Sequence, residues 1–467
     1  MRLLTTQKEE LRMIRNYLDL EQRSYSGVAV SKETWDLDYV ALPIMDLVEK
    51  YELRREPDEI IATDPKEIRK YYAAARELLI QSGVYNQSTG RIIALTAEEI
   101  DEAAAHQKQT LVMGSGKDAF TLYARQPEDP RKPGVVAGNP GCPMTEAEFY
   151  QTTRSWAQEP SVDMITCGSI VEVDGVPVRS EEVSEMLAVR RELQALNRLT
   201  ADVGRPGLGR LAAESSVSQI GDLSAMAEGL IRSTDAHLVA LNNELMISRD
   251  NMLRAANNIY FPVRNASLAC VMVEGMAGGA AGAAVCMIAS MLAANIVCRA
   301  DYHLCHPIHL RHIATSTREC MWLQSVTCQA FALCAPNIIV CDIYPKSGAG
   351  TAELLYEVAA NAAAITVSGG HLEGVGSCDG LKPHCSGLEA RVMGETGRAI
   401  ARSGMTRAQV NDLVLKLLER YEHVFATGNE GSHFGQVYDT VTCQPRESWL
   451  AVYEQVKDEL AQLGLCL

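Results

Sequence analysis

The sequence predicts a (β/α)8 barrel carrying additional helices at both ends of the chain. Three observations predict it. From about residue 110 short apolar runs alternate with longer helical stretches, the pattern of parallel βα units. Roughly eight such units fit within about 270 residues, the size of a closed barrel rather than an open sheet. The glycine-rich stretches contain no G-x-G-x-x-G between a strand and a helix and no G-x-x-x-x-G-K-[ST], so neither dinucleotide nor P-loop binding is indicated.

In chain order, residues 1–24 read as an amphipathic helix and 25–110 as charged helical sequence. A helix over 64–83 has Asp64 as its cap, Pro65 in its first turn and Gly83 at its end. Thr96 followed by Glu99 predicts a capping box. Residues 1–110 therefore form an N-terminal helical layer, 111–386 the barrel core, and 387–467 a C-terminal helical part packed on it. Strands are expected near 135–138, 163–167, 238–244, 269–273, 308–313 and 338–342. The apolar runs 325–334 and 364–370 also read as strands. Residues 204–224 begin with three glycines and a proline and continue through Glu214, Ser215, Ser216, Ser218 and Gln219. So many small polar groups predict a loop folded into a cavity, since a core helix would leave them unpaired.

Composition removes several classes of function. Lys and Arg total 43 against 59 Asp and Glu, a formal charge of -16, which opposes a nucleic-acid surface. The charged N-terminus has no apolar core of a signal peptide, so a cytoplasmic protein is expected. Many of the 14 cysteines sit in apolar runs and read as reduced, buried thiols. The apolar run 276–298 is rich in alanine and glycine and reads as a packed core helix rather than a membrane span.

In a barrel the reacting groups stand at the C-terminal ends of the strands. That rule selects Asn139, Asn242, Asn243, Glu244, Glu274, Asp342, Tyr344 and His371. Glu244 and Asp342 lie in apolar surroundings where a carboxylate needs a partner. With Glu214 and Asp235 they would form a negative pocket suited to a cation. His303, His306, His309 and His312 recur every third residue, so on a strand they alternate faces and cannot share one metal. His303, Cys305, His309 and His312 remain metal candidates, but no zinc is expected. A metal-assisted hydrolase, lyase or zinc-dependent demethylase on this cluster is one alternative, and a non-catalytic scaffold is another.

Several segments together carry a resemblance. They are WDLDYVALPIMDL at 35–47, GRPGLG at 204–209, ESSVSQIGDLS at 214–224, LNNELMIS at 241–248, EGMAGG at 274–279, PIHLRH at 307–312 and SGLEARVMGETGRA at 386–399. In these and over nearly its whole length the chain resembles the cobamide-dependent monomethylamine methyltransferase family. The resemblance implies a (β/α)8 barrel, homo-oligomers, and methyl transfer to the Co(I) corrinoid of a separate small protein. It also implies an amine-binding pyrrolysine in the central loop, ringed by glutamates, a glutamine and a tyrosine. This sequence departs from that pattern. Leu211 stands where pyrrolysine would, Leu238 and Leu268 where the glutamates would, and Asp342 in place of the glutamine; only the tyrosine is kept, as Tyr344.

The expected chemistry is therefore pyrrolysine-independent transfer from a methylated amine, with quaternary ammonium a natural donor because it already carries its charge. The expected catalytic residues are Asp342, Tyr344, Glu244 and Glu214. Leu211, Leu238, Leu268, Asp235, His237 and His309 are expected to line the substrate pocket. No corrinoid is expected to be held by this chain alone.

Overall fold

The computed structural model describes residues 17–467. The described part of the first helix covers residues 17–26; the remainder of the helix expected over 1–24 lies outside the described residues. Eight parallel strands close into a barrel, numbered here β1 (Val135–Ala137), β2 (Met164–Ile165), β3 (Gly209–Ala212), β4 (Ala236–Leu241), β5 (Arg264–Val273), β6 (Tyr302–His309), β7 (Ile339–Ile343) and β8 (His371–Gly374). Each strand pairs with its sequence neighbours, and β1 closes the ring against β8. The helices that follow the strands are α1 (Glu146–Ala157), α2 (Val183–Asp202), α3 (Gln219–Met226), α4 (Arg249–Tyr260), α5 (Ala280–Val297), α6 (Arg318–Cys334), α7 (Ala352–Ser368) and α8 (Gly387–Ser403).

Strand alternation divides the side chains into two cores. Val136, Met164, Leu211, Ala236, Ala266, Tyr302, Leu304 and Val340 point inward and pack with one another. Their sequence neighbours, such as Val239, Ala269, Cys305 and Cys341, point outward against the helices. An antiparallel hairpin of Thr110–Met113 and Phe120–Tyr123 closes the N-terminal end of the barrel, inserting Leu111, Met113 and Leu122 into the inner core. At the other end the inward positions Leu238, Ala240, Leu268, Cys270, Met272 and Ile308 are half-buried, while the outward residues between them are buried. The C-terminal mouth is thus open to solvent.

All six expected strands overlap an observed one; β4 and β5 begin earlier than expected, and β6 ends at His309, so it shares only residues 308 and 309 with the expected 308–313. Two were missed. β3 lies inside the segment read as a loop, because four residues bounded by glycine give too short a run to show a period. β8 begins at His371, whereas the preceding 364–370 run, read as a strand, is the end of α7. The 325–334 run is likewise part of α6. Both helices are buried almost all round, so their apolar residues do not show the one-sided stripe that marks a surface helix.

The caps expected in the N-terminal layer form as read: Asp64 accepts from the Lys66 N–H, and Thr96 and Glu99 make a reciprocal box. The helix Pro65–Ser82 packs on α5, the one helix among the described residues long and apolar enough to cross a membrane; 94% of it is buried in the protein. A hairpin of Val84–Asn86 and Arg91–Ile93 adds the short strand Met246–Ile247 from beyond β4, tying the N-terminal layer to the barrel rim. The 387–467 segment opens with α8, which covers β8 and β1.

Candidate active site

Four inward side chains form a row across neighbouring strands near the mouth. Strand register places Cys270 of β5 beside His306 of β6, and Asp342 of β7 beside Glu373 of β8. His306 Nδ1 lies 2.5 Å from Asp342 Oδ2, which joins the two halves of the row. Leu211, Leu238 and Leu268 belong to the same inner surface. Glu214 follows β3 at the same end of the barrel, and its side chain is in the electrostatic field of Glu373 and Asp342.

Burial sets the charge of this site. Asp342 is 2% exposed and Glu373 fully buried. Removal from water pushes both carboxyls, and that of Glu214, well above the usual carboxylate range. The same desolvation pulls His306 down to about 4, so its imidazole is neutral near pH 7 and a single proton lies between Nδ1 and Asp342. Among the described residues, Glu373 Oε1 and Oε2, Asp342 Oδ1 and Glu214 Oε1 meet no donor. Buried acceptors without partners are costly, and the group that would relieve them is a cation or a proton.

Tyr344 is fixed rather than free. Its hydroxyl donates to the Pro140 carbonyl at 2.7 Å, its N–H donates to Thr315 Oγ1 at 2.8 Å, and its ring meets the His306 ring edge-on at 4.5 Å. Gly376 lets the chain pass the ring, since a Cβ there would lie 2.4 Å from a ring carbon. Asn139 is buried nearby and its amide has no partner among the described residues.

The 204–224 segment is not one loop: it contains β3 and most of α3, and two carboxylates of α2 hold the turn between them. Glu192 accepts from the N–H groups of Glu214 (3.1 Å) and Ser215 (2.7 Å). Glu185 accepts from the N–H groups of Val217 and Ser218, both at 2.8 Å, and from the Ser218 hydroxyl. Arg254 of α4 ties the loop to the barrel by donating to Asp222, to the Ser216 carbonyl and to the Leu238 carbonyl. Charged acceptors on buried N–H groups are strong anchors, and they fix where Glu214 points.

Several expected residues lie elsewhere. Asp235 is at the N-terminal end of β4, the closed end, where Arg232 donates to both of its oxygens. His237 points outward, bonded to Ser216 (2.9 Å) and Asn258 (3.2 Å) beneath the loop. Glu244 is buried at the rim between β4 and the N-terminal layer, with its backbone carbonyl accepting from Trp35 at 3.3 Å. His309 is at the end of β6, 3.8 Å from Glu274 and stacked obliquely on His312. His371, selected as a strand end, is instead the first residue of β8: it accepts from the Gly134 N–H and donates to the Tyr123 carbonyl at the closed end.

The metal candidates do not converge. His303 faces outward to Ser267 and Asn295, and Cys305 faces outward beside Cys341, away from His309 and His312 at the rim. Among the described residues no group of three or more His, Cys, Asp or Glu could hold a metal ion. Glu373, by contrast, was not among the expected site residues, and His306 entered only as a member of the histidine cluster. The signal for Glu373 was its position two residues after His371, which alternation places on the same inner face once β8 is recognised.

Known proteins share this whole architecture. The family model described as monomethylamine methyltransferase MtmB matches residues 16–465. The monomethylamine methyltransferase MtmB2 of Methanosarcina acetivorans is 32% identical over 455 residues, covering 96% of this chain and 97% of its own. MtmB1 of Methanosarcina barkeri shows the same identity and coverage. The crystal structure of the Methanosarcina barkeri monomethylamine methyltransferase superposes with a TM-score of 0.93 at 31% identity, over 97% of this chain and 98% of that one. Its complex with hydroxylamine superposes equally well. With its length, sequence and barrel all in register with these proteins, the chain belongs to the monomethylamine methyltransferase family.

Proposed function

We infer that the chain transfers a methyl group from a methylated ammonium ion, with quaternary ammonium the preferred donor, to the Co(I) corrinoid of a separate partner protein. Family membership makes it a corrinoid-dependent methyltransferase acting on methylated amines. The observation that supports the finer reading is the pairing of buried, partnerless carboxyls with a leucine wall. Leu211 has no electrophile, so an amine cannot be held covalently at that position. Leu238 and Leu268 supply apolar surface for N-methyl groups, and Asp342, Glu373 and Glu214 supply the opposite charge.

The corrinoid supplies the nucleophile. The side chains of this barrel keep water from the donor, direct one methyl toward the mouth and balance the cationic nitrogen. Alignment and exclusion of water are worth several kcal/mol in such a displacement. When the C–N bond breaks, its electron pair stays on nitrogen, so a quaternary donor leaves as a neutral amine without needing a proton. A panel of monomethyl-, dimethyl-, trimethyl- and tetramethylammonium and betaine, assayed with the cognate corrinoid protein, tests this. Transfer should be fastest from a quaternary donor. Transfer from monomethylamine as the fastest donor would refute it.

The partner's approach is proposed at the open mouth, where the methyl group must emerge. The connections after β3, β5, β6 and β8 and the helix α3 expose Val217, Ile220, Leu223, Met276, Leu310 and Leu381. Solvent-exposed apolar surface ringing a reaction site fits a protein partner. Leu223→Lys and Leu310→Lys should each raise the KM for the corrinoid protein about tenfold, a typical loss of roughly 1.4 kcal/mol for an interface residue. Tetramethylammonium binding should not change. Self-association, which the family resemblance implies, is part of the same reading; sedimentation as a 50.9 kDa particle at micromolar concentration would contradict it.

A further inference from the structure

Beyond the expected Asp342, the inner wall contains Glu373, whose two oxygens meet no donor among the described residues although the side chain is fully buried. It is the register partner of Asp342, and the two carboxyls lie within hydrogen-bonding reach of each other. Two carboxylates at that distance, out of water, cannot both be ionised unless a cation stands beside them. The Tyr302 hydroxyl is a second, independent unpartnered group. It is 1% exposed, has no partner among the described residues, and lies in the field of Glu373, Glu214 and Asp342.

We propose that Glu373 and Asp342 form a proton-holding carboxyl pair that releases a proton to solvent when a methylated ammonium ion binds against the leucine wall. The site then takes up a cation in exchange for a proton, and the empty barrel avoids burying a double negative charge. This rests on the reading that the donor is cationic, and it adds both the residue and the exchange. The balance is simple: one proton passes from the pair to the buffer, one cation enters, and no bond to carbon is made or broken.

The groups that face the pair are few. His306 and Tyr302 stand on β6, Tyr344 directly follows β7 and Cys270 is on β5, while Glu214 comes from the loop after β3. On the remaining side β1 and β2 present Val136 and Met164, which carry no charge. Arg254 is the cation that acts on Glu214, and it is already engaged with Asp222. Burial drives both carboxyls of the pair upward, in the direction the exchange requires.

Tetramethylammonium is the decisive probe because it has no N–H, so any proton released must come from the protein. The full chain is titrated calorimetrically with tetramethylammonium chloride near pH 7, in phosphate and in HEPES, whose ionisation enthalpies differ. The expected result is release of up to about one proton per cation bound, with affinity rising by up to about tenfold per pH unit as long as the pair of the free protein still holds its proton. Glu373→Gln should weaken binding at least about tenfold and flatten the pH dependence; circular dichroism confirms that the variant is folded. The wild-type titration tests the proposal even if the variant does not fold. Binding without proton release, equal proton release by Glu373→Gln, or no binding of tetramethylammonium would each overturn it. Methyl transfer to Co(I) from the donor panel is measured on the same preparation. Transfer from a cation that binds without proton release would sink the exchange alone, whereas absence of both binding and transfer would sink the cationic-donor reading with it.

Discussion

Asp342→Asn is expected to slow methyl transfer by roughly 30-fold to several-thousand-fold while making the protein more resistant to heat. The substitution keeps the shape of the side chain and a hydrogen-bonding group for His306, and it removes the charge. Losing one partner of a buried ion pair costs about 2–5 kcal/mol, which is the source of the rate range. The stability gain follows from the direction of the shift. Burial raises the folded-state value of the Asp342 carboxyl above its unfolded value. Such a group favours the folded state below the unfolded value, and that contribution is lost as pH rises toward the folded one. An amide has no proton to lose, so its advantage should be absent near pH 4 and widen toward pH 8. Single-turnover rates, with melting temperatures at several pH values, read both effects. Equal rates for wild type and variant on the best donor would end the charge account, and a lower melting temperature at pH 8 would show that Asp342 is structural.

Glu192→Ala should destabilise the fold by about 2–6 kcal/mol, measured by urea denaturation. It leaves the N–H groups of Glu214 and Ser215 without an acceptor in a buried place, at about 1–3 kcal/mol each. Glu192→Gln, which keeps one acceptor oxygen, should cost less than half as much. The contrast lies one residue away on the same helix. Arg191 makes ion pairs with Glu146 and Asp174 at the surface, where water screens them, and removing them should cost far less. If the two substitutions cost the same, the loop is not held by Glu192.

The barrel was legible because its strands are short apolar runs separated by capped helices, and a parallel sheet wrapped by helices must be built that way. Asp342 and Tyr344 were legible for the same reason: polar residues that end an apolar strand stand at the mouth. Orientation was harder. His237 and Leu238 are adjacent in sequence, yet one faces the helices and the other the cavity, and only the starting point of β4 decides which. Asp235 lies one residue before that strand, which puts it at the closed end against Arg232. Glu373 was hidden by the buried helix α7, whose apolar C-terminus looks like a strand and shifted His371 to the wrong end of its own. Glu185 and Glu192 were invisible for a different reason. Their partners lie 22 to 33 residues further along the chain, and nothing local marks a helical glutamate as an anchor for a distant loop.

The proposed role of the buried carboxylates and leucines is to hold a cationic methyl donor with no N–H to offer. A competition in one vessel tests it most directly. The wild-type chain and its reduced corrinoid partner receive equal concentrations of deuteromethyl-labelled tetramethylammonium and unlabelled monomethylammonium, and mass spectrometry reads which methyl group reaches the corrinoid in the first turnover. The account predicts that the deuterated methyl dominates in the wild type and that its advantage collapses in Asp342→Asn. A first turnover dominated by the unlabelled methyl would contradict it.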